Sequence, residues 1–168
     1  MRRELIAAAL ALLCAGTARA DGCTLVFGQG RNATQPGGPD WDDLNQRFNA
    51  AVADTLQADG RSAHALDAST RQINPQAAGR ALLAEADRLG CRTLVETTVF
   101  DDAGTLVLRL RAYPLLPQLG DGAAIVGLRI GAPLFVTQRD LAPAAVQRIK
   151  PELLAAQMAA EYLQHDRR

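Results

Sequence analysis

Few side chains in this 168-residue sequence could do covalent or metal chemistry. Histidines stand only at His64 and His165, and serines only at Ser62 and Ser69. Ser62 and His64 would share one face of a strand. A nucleophilic triad also needs a third, orienting group and an oxyanion pocket, and no G-x-S-x-G elbow is present. His165 lies close to the C-terminus, where fraying is expected. His64 with Asp67 is too sparse for a metal, which takes three or four closely spaced ligands. Asp40, Asp42 and Asp43 form one carboxylate cluster and Asp101 with Asp102 another. Paired acids could serve a hydrolase, but a helix start and a turn explain these two clusters structurally. No catalytic residue, metal or cofactor is expected.

Two constellations could bind. Gly28-Gln29-Gly30-Arg31-Asn32-Ala33 follows a strand-like run and fits G-x-G-x-x-A. A dinucleotide site requires that turn to open directly into a helix, and Pro36-Gly37-Gly38-Pro39 intervenes. The loop nevertheless follows the C-terminal end of a strand, where α/β sheets place binding surfaces. Gln29, Arg31 and Asn32 are therefore candidate contact residues. Asn32-Ala33-Thr34 also fits a glycosylation sequon, without weight in a bacterial-style chain. The second constellation is Arg109, Arg111 and Tyr113, which alternate onto one side of a strand, with Arg129 as a candidate fourth member from the next strand. It would suit a carboxylate, a phosphate or an acidic partner. The plainer reading is a solvated sheet face.

Composition narrows the class. Eighteen basic and 18 acidic residues cancel, with 48% hydrophobic and 4% aromatic residues. Disorder and a polybasic nucleic-acid arm are poor readings, and a balanced chain has no global field to gather phosphate. Met1–Ala20 reads as a secretory leader. Arg2 and Arg3 precede the apolar run Leu5–Ala15, which is too short to span a bilayer, and Ala18-Arg19-Ala20 suits cleavage before Asp21. A lipoprotein signal fits poorly: Ala11-Leu12-Leu13 before Cys14 is too bulky, and Asp21 stands near Cys23. Arg2-Arg3-Glu4-Leu5 is only a weak twin-arginine hint. Removal of the leader takes three arginines and one glutamate, leaving 15 basic and 17 acidic groups, a net charge of −2. No later run reaches the roughly 18 apolar residues of a membrane span.

Cys23 and Cys91 then remain, an even number in an oxidising compartment, which suggests a disulfide. Two buried thiols, or a lipidated Cys23 beside a buried Cys91, are the alternatives. Each cysteine precedes a strand-like run, TLVF and TLVETTVF. If those strands are parallel neighbours, their starts lie within bridging distance. The bridge would be structural, since no C-x-x-C is present.

The periodicity predicts β, α, β, α, then three or four strands and a helix. Strand Thr24–Phe27 is followed by a helix capped by Asp40 and running to about Ala58, with Leu44, Phe48, Val52 and Leu56 inward. Ser62–Leu66 is a weaker strand. Asn74 caps a helix that has Pro75 at its first position, buries Ala78, Leu82, Ala86 and Leu89, and stops at Gly90. Strand Arg92–Phe100, a turn over Asp101–Gly104 and strand Thr105–Tyr113 make a hairpin, with Pro114 and Pro117 expected to end it. Ala124–Ile130 and Leu134–Gln138 are further strands. The last helix is expected from about Pro143 to Gln164, kinked or divided at Pro151, with Leu154, Met158 and Tyr162 inward. The fold class is α/β (α+β): one domain over 21–168, with a mixed sheet of five to six strands in βαβαβββ(β)α order flanked by helices.

The stretch Ala81–Tyr113, ALLAEADRLGCRTLVETTVFDDAGTLVLRLRAY, resembles a group of bacterial envelope domains. These are the amino-terminal domain of the Tol-system propeller protein, the curli-secretion lipoprotein and the lipoprotein activators of penicillin-binding proteins. Leu89-Gly90 matches the helix end, Leu94-Val95 and Val99 the strand, and Asp102-Ala103-Gly104 the turn. Glu96-Thr97 departs from the usual glycine region. Leu153–Leu163 is similar to the closing helix of the Tol domain. The resemblance implies a non-enzymatic periplasmic adaptor that contacts another envelope protein, and it transfers no binding residue. A sheet edge, the loop after the first strand and the Arg109/Arg111 face are the candidate surfaces, and self-association is left open. A small-ligand or lipid-transport accessory is the second reading and a periplasmic hydrolase the third. An outer-membrane lipoprotein is the alternative location.

Overall fold

The computed structural model describes residues 22–28, 39–67, 74–142 and 150–168. The leader, the loop carrying Gln29, Arg31 and Asn32, and the predicted helix start at Pro143 lie outside the described residues. Within them, six strands and three helices alternate as β1 (Thr24–Gly28), α1 (Trp41–Ala58), β2 (Ala63–Asp67), α2 (Pro75–Leu89), β3 (Thr93–Asp102), β4 (Thr105–Leu119), β5 (Ile125–Ile130), β6 (Phe135–Leu141) and α3 (Pro151–Asp166). The expected mixed α/β domain is what forms. β1 pairs in parallel with β2 on one side and β3 on the other, and the later strands are antiparallel.

The helix ends follow their sequence signals. Asp40 Oδ1 accepts from the backbone N–H groups of Asp42 and Asp43, both at 3.1 Å. Asn74 Oδ1 accepts from Ala77 N–H at 3.0 Å, and Gly90 closes α2 in the left-handed region at φ 71°. Such caps satisfy amides that the helix itself leaves unpaired. Pro151 stands at the first position of α3, where a residue needs no N–H partner. The expected division of a longer helix at this proline falls on positions 143–149, outside the described residues.

α1 and α3 pack on one sheet face. Phe48, Val52 and Leu56 of α1, and Met158, Ala159 and Tyr162 of α3, meet Val26, Val95, Leu108 and Leu110 of the strands. The opposite face meets α2, where Leu82 and Ala86 pack with Leu25, Leu94, Leu115 and Leu128. Both faces of β1 are therefore covered by helices, while β4 alternates.

The β3–β4 hairpin is tighter than the four-residue turn expected. Asp101 and Asp102 still belong to the ladder, and only Ala103 and Gly104 form the turn. Both have positive φ, 49° and 85°, as a type I′ connection requires. Strand β4 also corrects the sequence reading, because it continues through Pro114 and Pro117 to Leu119. Its β3 partner ends at Thr93, opposite Pro114. Leu115 N–H still donates to Arg92 O at 2.8 Å, and beyond it β4 pairs with β5 alone, so Pro117 stands where one side of the strand has no partner and a proline is tolerated.

β6 pairs with Leu106–Ala112 of β4, and β5 with Leu115–Leu119. Gly131 N–H donates to Pro114 O at 2.9 Å and Leu134 N–H to Ala112 O at 2.8 Å. Both bonds use the same side of β4, so β5 and β6 form one outer column broken at residues 131–134.

Candidate interaction surface

The cysteines come together because β1 and β3 are parallel neighbours in register Thr24 with Thr93. Cys23 and Cys91 precede those strands and form a disulfide across 68 residues. Arg92 N–H donates to Cys23 O at 2.9 Å beside it.

Two buried asparagines, one helical turn apart on α1, were not singled out by sequence reasoning. β1 ends at Gly28, opposite Thr97, but β3 continues to Asp102. Asn45 takes over where β1 stops. Its Nδ2 donates to Val99 O at 3.0 Å and to Trp41 O at 2.8 Å, and its Oδ1 accepts from Val99 N–H at 2.9 Å. The carboxamide thus extends the ladder by one rung. Next to it, Thr97 Oγ1 donates to Asn49 Oδ1, and Asn49 Nδ2 reaches Leu66 O at 3.5 Å. Gly28 is required by this approach: a Cβ there would lie 2.6 Å from Asn49 Oδ1 and 2.7 Å from Thr97 O. These polar groups satisfy one another and hold α1 to the sheet.

Arg109, Arg111 and Tyr113 share a face, as alternation demands. Arg111 stands opposite Glu96 of β3, with Nη1 3.6 Å from Glu96 Oε2. Tyr113 Oη donates to that same oxygen at 2.9 Å and accepts from Arg111 Nη1 at 3.5 Å. The Tyr113 hydrogen bond, then the Glu96 charge, hold the Arg111 guanidinium above its ordinary pKa, while burial pushes the Tyr113 phenol up. The charge of Arg111 is therefore answered within the domain. Arg109 differs. Its Nε donates to the neutral Gln138 Oε1 at 2.7 Å and its guanidinium carbon lies 5.6 Å from the Phe100 ring centroid, with no ion pair among the described residues. Arg129 is not brought to this group. It pairs in register with Leu116, on the ribbon face opposite that of Leu115 and Leu128.

The other weighed residues have structural roles or stand apart. Asp40 caps α1, and Asp43 Oδ2 lies 3.0 Å from Arg47 Nε. His64 is exposed on β2, and Ser62 precedes that strand. His165 is within α3, its ring centroid 5.3 Å from that of Phe135. Arg61 lies 5.6 Å from the Tyr162 ring centroid and 2.8 Å from Asp166 Oδ2, which ties the end of α3 to the α1–β2 turn.

One surface feature is apolar. Seven large hydrophobics are exposed among the described residues, and six of them fall between positions 119 and 136: Leu119, Ile125, Val126, Ile130, Leu134 and Val136. Five are on the outer column and Leu119 faces it across the ribbon. Their exposure runs from 43% to 67%. A sequence signal existed: from Tyr113 to Gln138 the only charges are Asp121 and Arg129. That run reads equally well as core until the sheet order shows it at an edge.

The surface and fold define a disulfide-closed α/β domain with an apolar sheet edge. No protein-family model matches the chain, and no curated protein matches its sequence. Among solved structures, the chain is similar to the LpoB C-terminal domain from Salmonella enterica, at 10% identity and a TM-score of 0.32, over 76% of this chain and 87% of that one.

Proposed function

We propose that this chain is an exported, non-catalytic domain of the bacterial cell envelope that works by protein contact. The observation that carries the reading is the outer column. Its strands pair only with β4 among the described residues, and five exposed aliphatics line it. An edge of this kind offers unpaired backbone groups and apolar area to an incoming partner. The β6 half suits the envelope partner best, because Val136 and Gln138 share a face with Arg109, whose charge could meet an acidic group.

The Cys23–Cys91 bridge supports an oxidising compartment. Cleavage of Met1–Ala20 before Asp21 would deliver residues 21–168 to the periplasm. A Cys23 held in a disulfide is not available for lipid, which favours the periplasmic form over an outer-membrane lipoprotein. The resemblance of Ala81–Tyr113 to envelope assembly domains points the same way.

Site-specific photocrosslinking tests this. A photoreactive residue replaces Val136 or, as a control on the exposed outside of α2, Arg80. In the native host the Val136 probe should yield a discrete adduct with a cell-envelope protein identified by mass spectrometry, and the Arg80 probe none. Export without any Val136 adduct, or equal labelling from both positions, would overturn the proposal.

A further inference from the structure

The β4–β5 ribbon presents a different pattern from the β6 half of the edge. A register shift between Gln118 and Leu119 leaves Val126 as an extra residue, and both Ile125 and Val126 project into solvent. Leu119 and Ile130 extend the apolar strip. The two charges of the ribbon stand at its opposite ends. Asp121 is in the tip turn, and Arg129 is near the base of β5. Both are exposed, and neither forms an ion pair among the described residues.

From this disposition we infer that the free edge of β5 pairs antiparallel, edge to edge, with the same edge of a second copy of this chain. Antiparallel apposition about a twofold axis places Ile125 and Val126 of each copy against those of the other, and brings each Arg129 toward the other copy's Asp121. Parallel apposition would oppose like charges. A twofold interface uses one self-complementary patch on both subunits, and a free strand edge with opposite charges at its two ends is such a patch. Two six-residue strands cover less than the roughly 800 Å² per partner of a standard interface, so the dimer is weak and concentration-dependent. The inference rests on reading the outer column as a contact surface, but not on the envelope partner assigned to its β6 half.

Sedimentation equilibrium of the chain purified from the periplasm tests it. The wild type should pass reversibly from monomer to dimer over about 10 μM to 1 mM. Every substitution acts twice in a twofold dimer. Arg129→Asp alone and Asp121→Arg alone should each weaken dimerisation about tenfold at low salt, and the two together should restore it to within about twofold. Ile125→Asp should abolish it, with a wild-type far-UV spectrum showing that the fold is kept. A monomer throughout, a dimer indifferent to Ile125→Asp, or no restoration by the double charge reversal would overturn the inference. Photocrosslinking from Val136 to an envelope protein would survive that failure, so the two proposals fail separately.

Discussion

Removing the carboxamide of Asn45 should be among the most damaging single changes in the domain. The residue is 1% exposed, and it is the partner that Val99 N–H and Val99 O find where β1 ends. Asn45→Ala leaves both groups buried and unpaired. Each unmade bond costs about 1–3 kcal/mol. Alanine returns about 0.5 kcal/mol through its higher helix propensity. The net expectation is a loss of about 2–5 kcal/mol, a large share of a typical 5–15 kcal/mol stability. At about 2–4 °C per kcal/mol, the melting temperature should fall by about 5–15 °C. Urea titration followed by far-UV circular dichroism measures the free-energy loss, and a thermal scan of the same signal the melting temperature. Asn45→Asp refines the test. A carboxylate still accepts from Val99 N–H but faces the carbonyls of Val99 and Trp41, so the variant should be weakest at neutral pH and recover as acid protonates it. A loss below about 0.5 kcal/mol for Asn45→Ala would refute the idea that this side chain completes the ladder.

Three further outcomes follow from the same geometry. Cys23→Ser or reduction of the bridge should destabilise by about 2–5 kcal/mol, since the 68-residue loop is worth about 4 kcal/mol in closure entropy; urea midpoints with and without reductant check this. Ala103→Asn should raise the melting temperature by the equivalent of about 0.5–1 kcal/mol, because Ala103 has a positive φ and Asn-Gly is the preferred type I′ pair. Burial pushes the Tyr162 phenol above its ordinary value near 10. A raised folded pKa gives stability that is complete below the unfolded value and lost as pH rises past it. Urea midpoints should therefore fall above about pH 10, and the fall should be shallower in Tyr162→Phe.

The apolar periodicity and the caps carried most of the fold. The stripe of Phe48, Val52 and Leu56 on α1 is the buried stripe observed, with Leu44 at its margin. Asn74-Pro75 and Gly90 bound α2 as their types predict. The pairing of the cysteines was legible because it depends only on two parallel strand starts. Asn45 and Asn49 were not legible. Asparagine in a helix ordinarily means a solvated face, and the backbone of Val99 lies 54 residues away from Asn45. The continuation of β4 through its prolines was hidden for a similar reason, since whether a proline breaks a strand depends on which side has a partner. The apolar edge lay in plain view as a charge-poor run, but alternation cannot distinguish an edge strand from a central one. That distinction appears only when β5 and β6 are seen sharing one side of β4.

The account turns on export and closure of a domain that acts by contact. The intact mass of the chain recovered from the periplasm of its host tests this most directly. The predicted mass is that of residues 21–168 less two hydrogens, without lipid. A full-length chain with both thiols reduced, functioning in the cytosol, would contradict it.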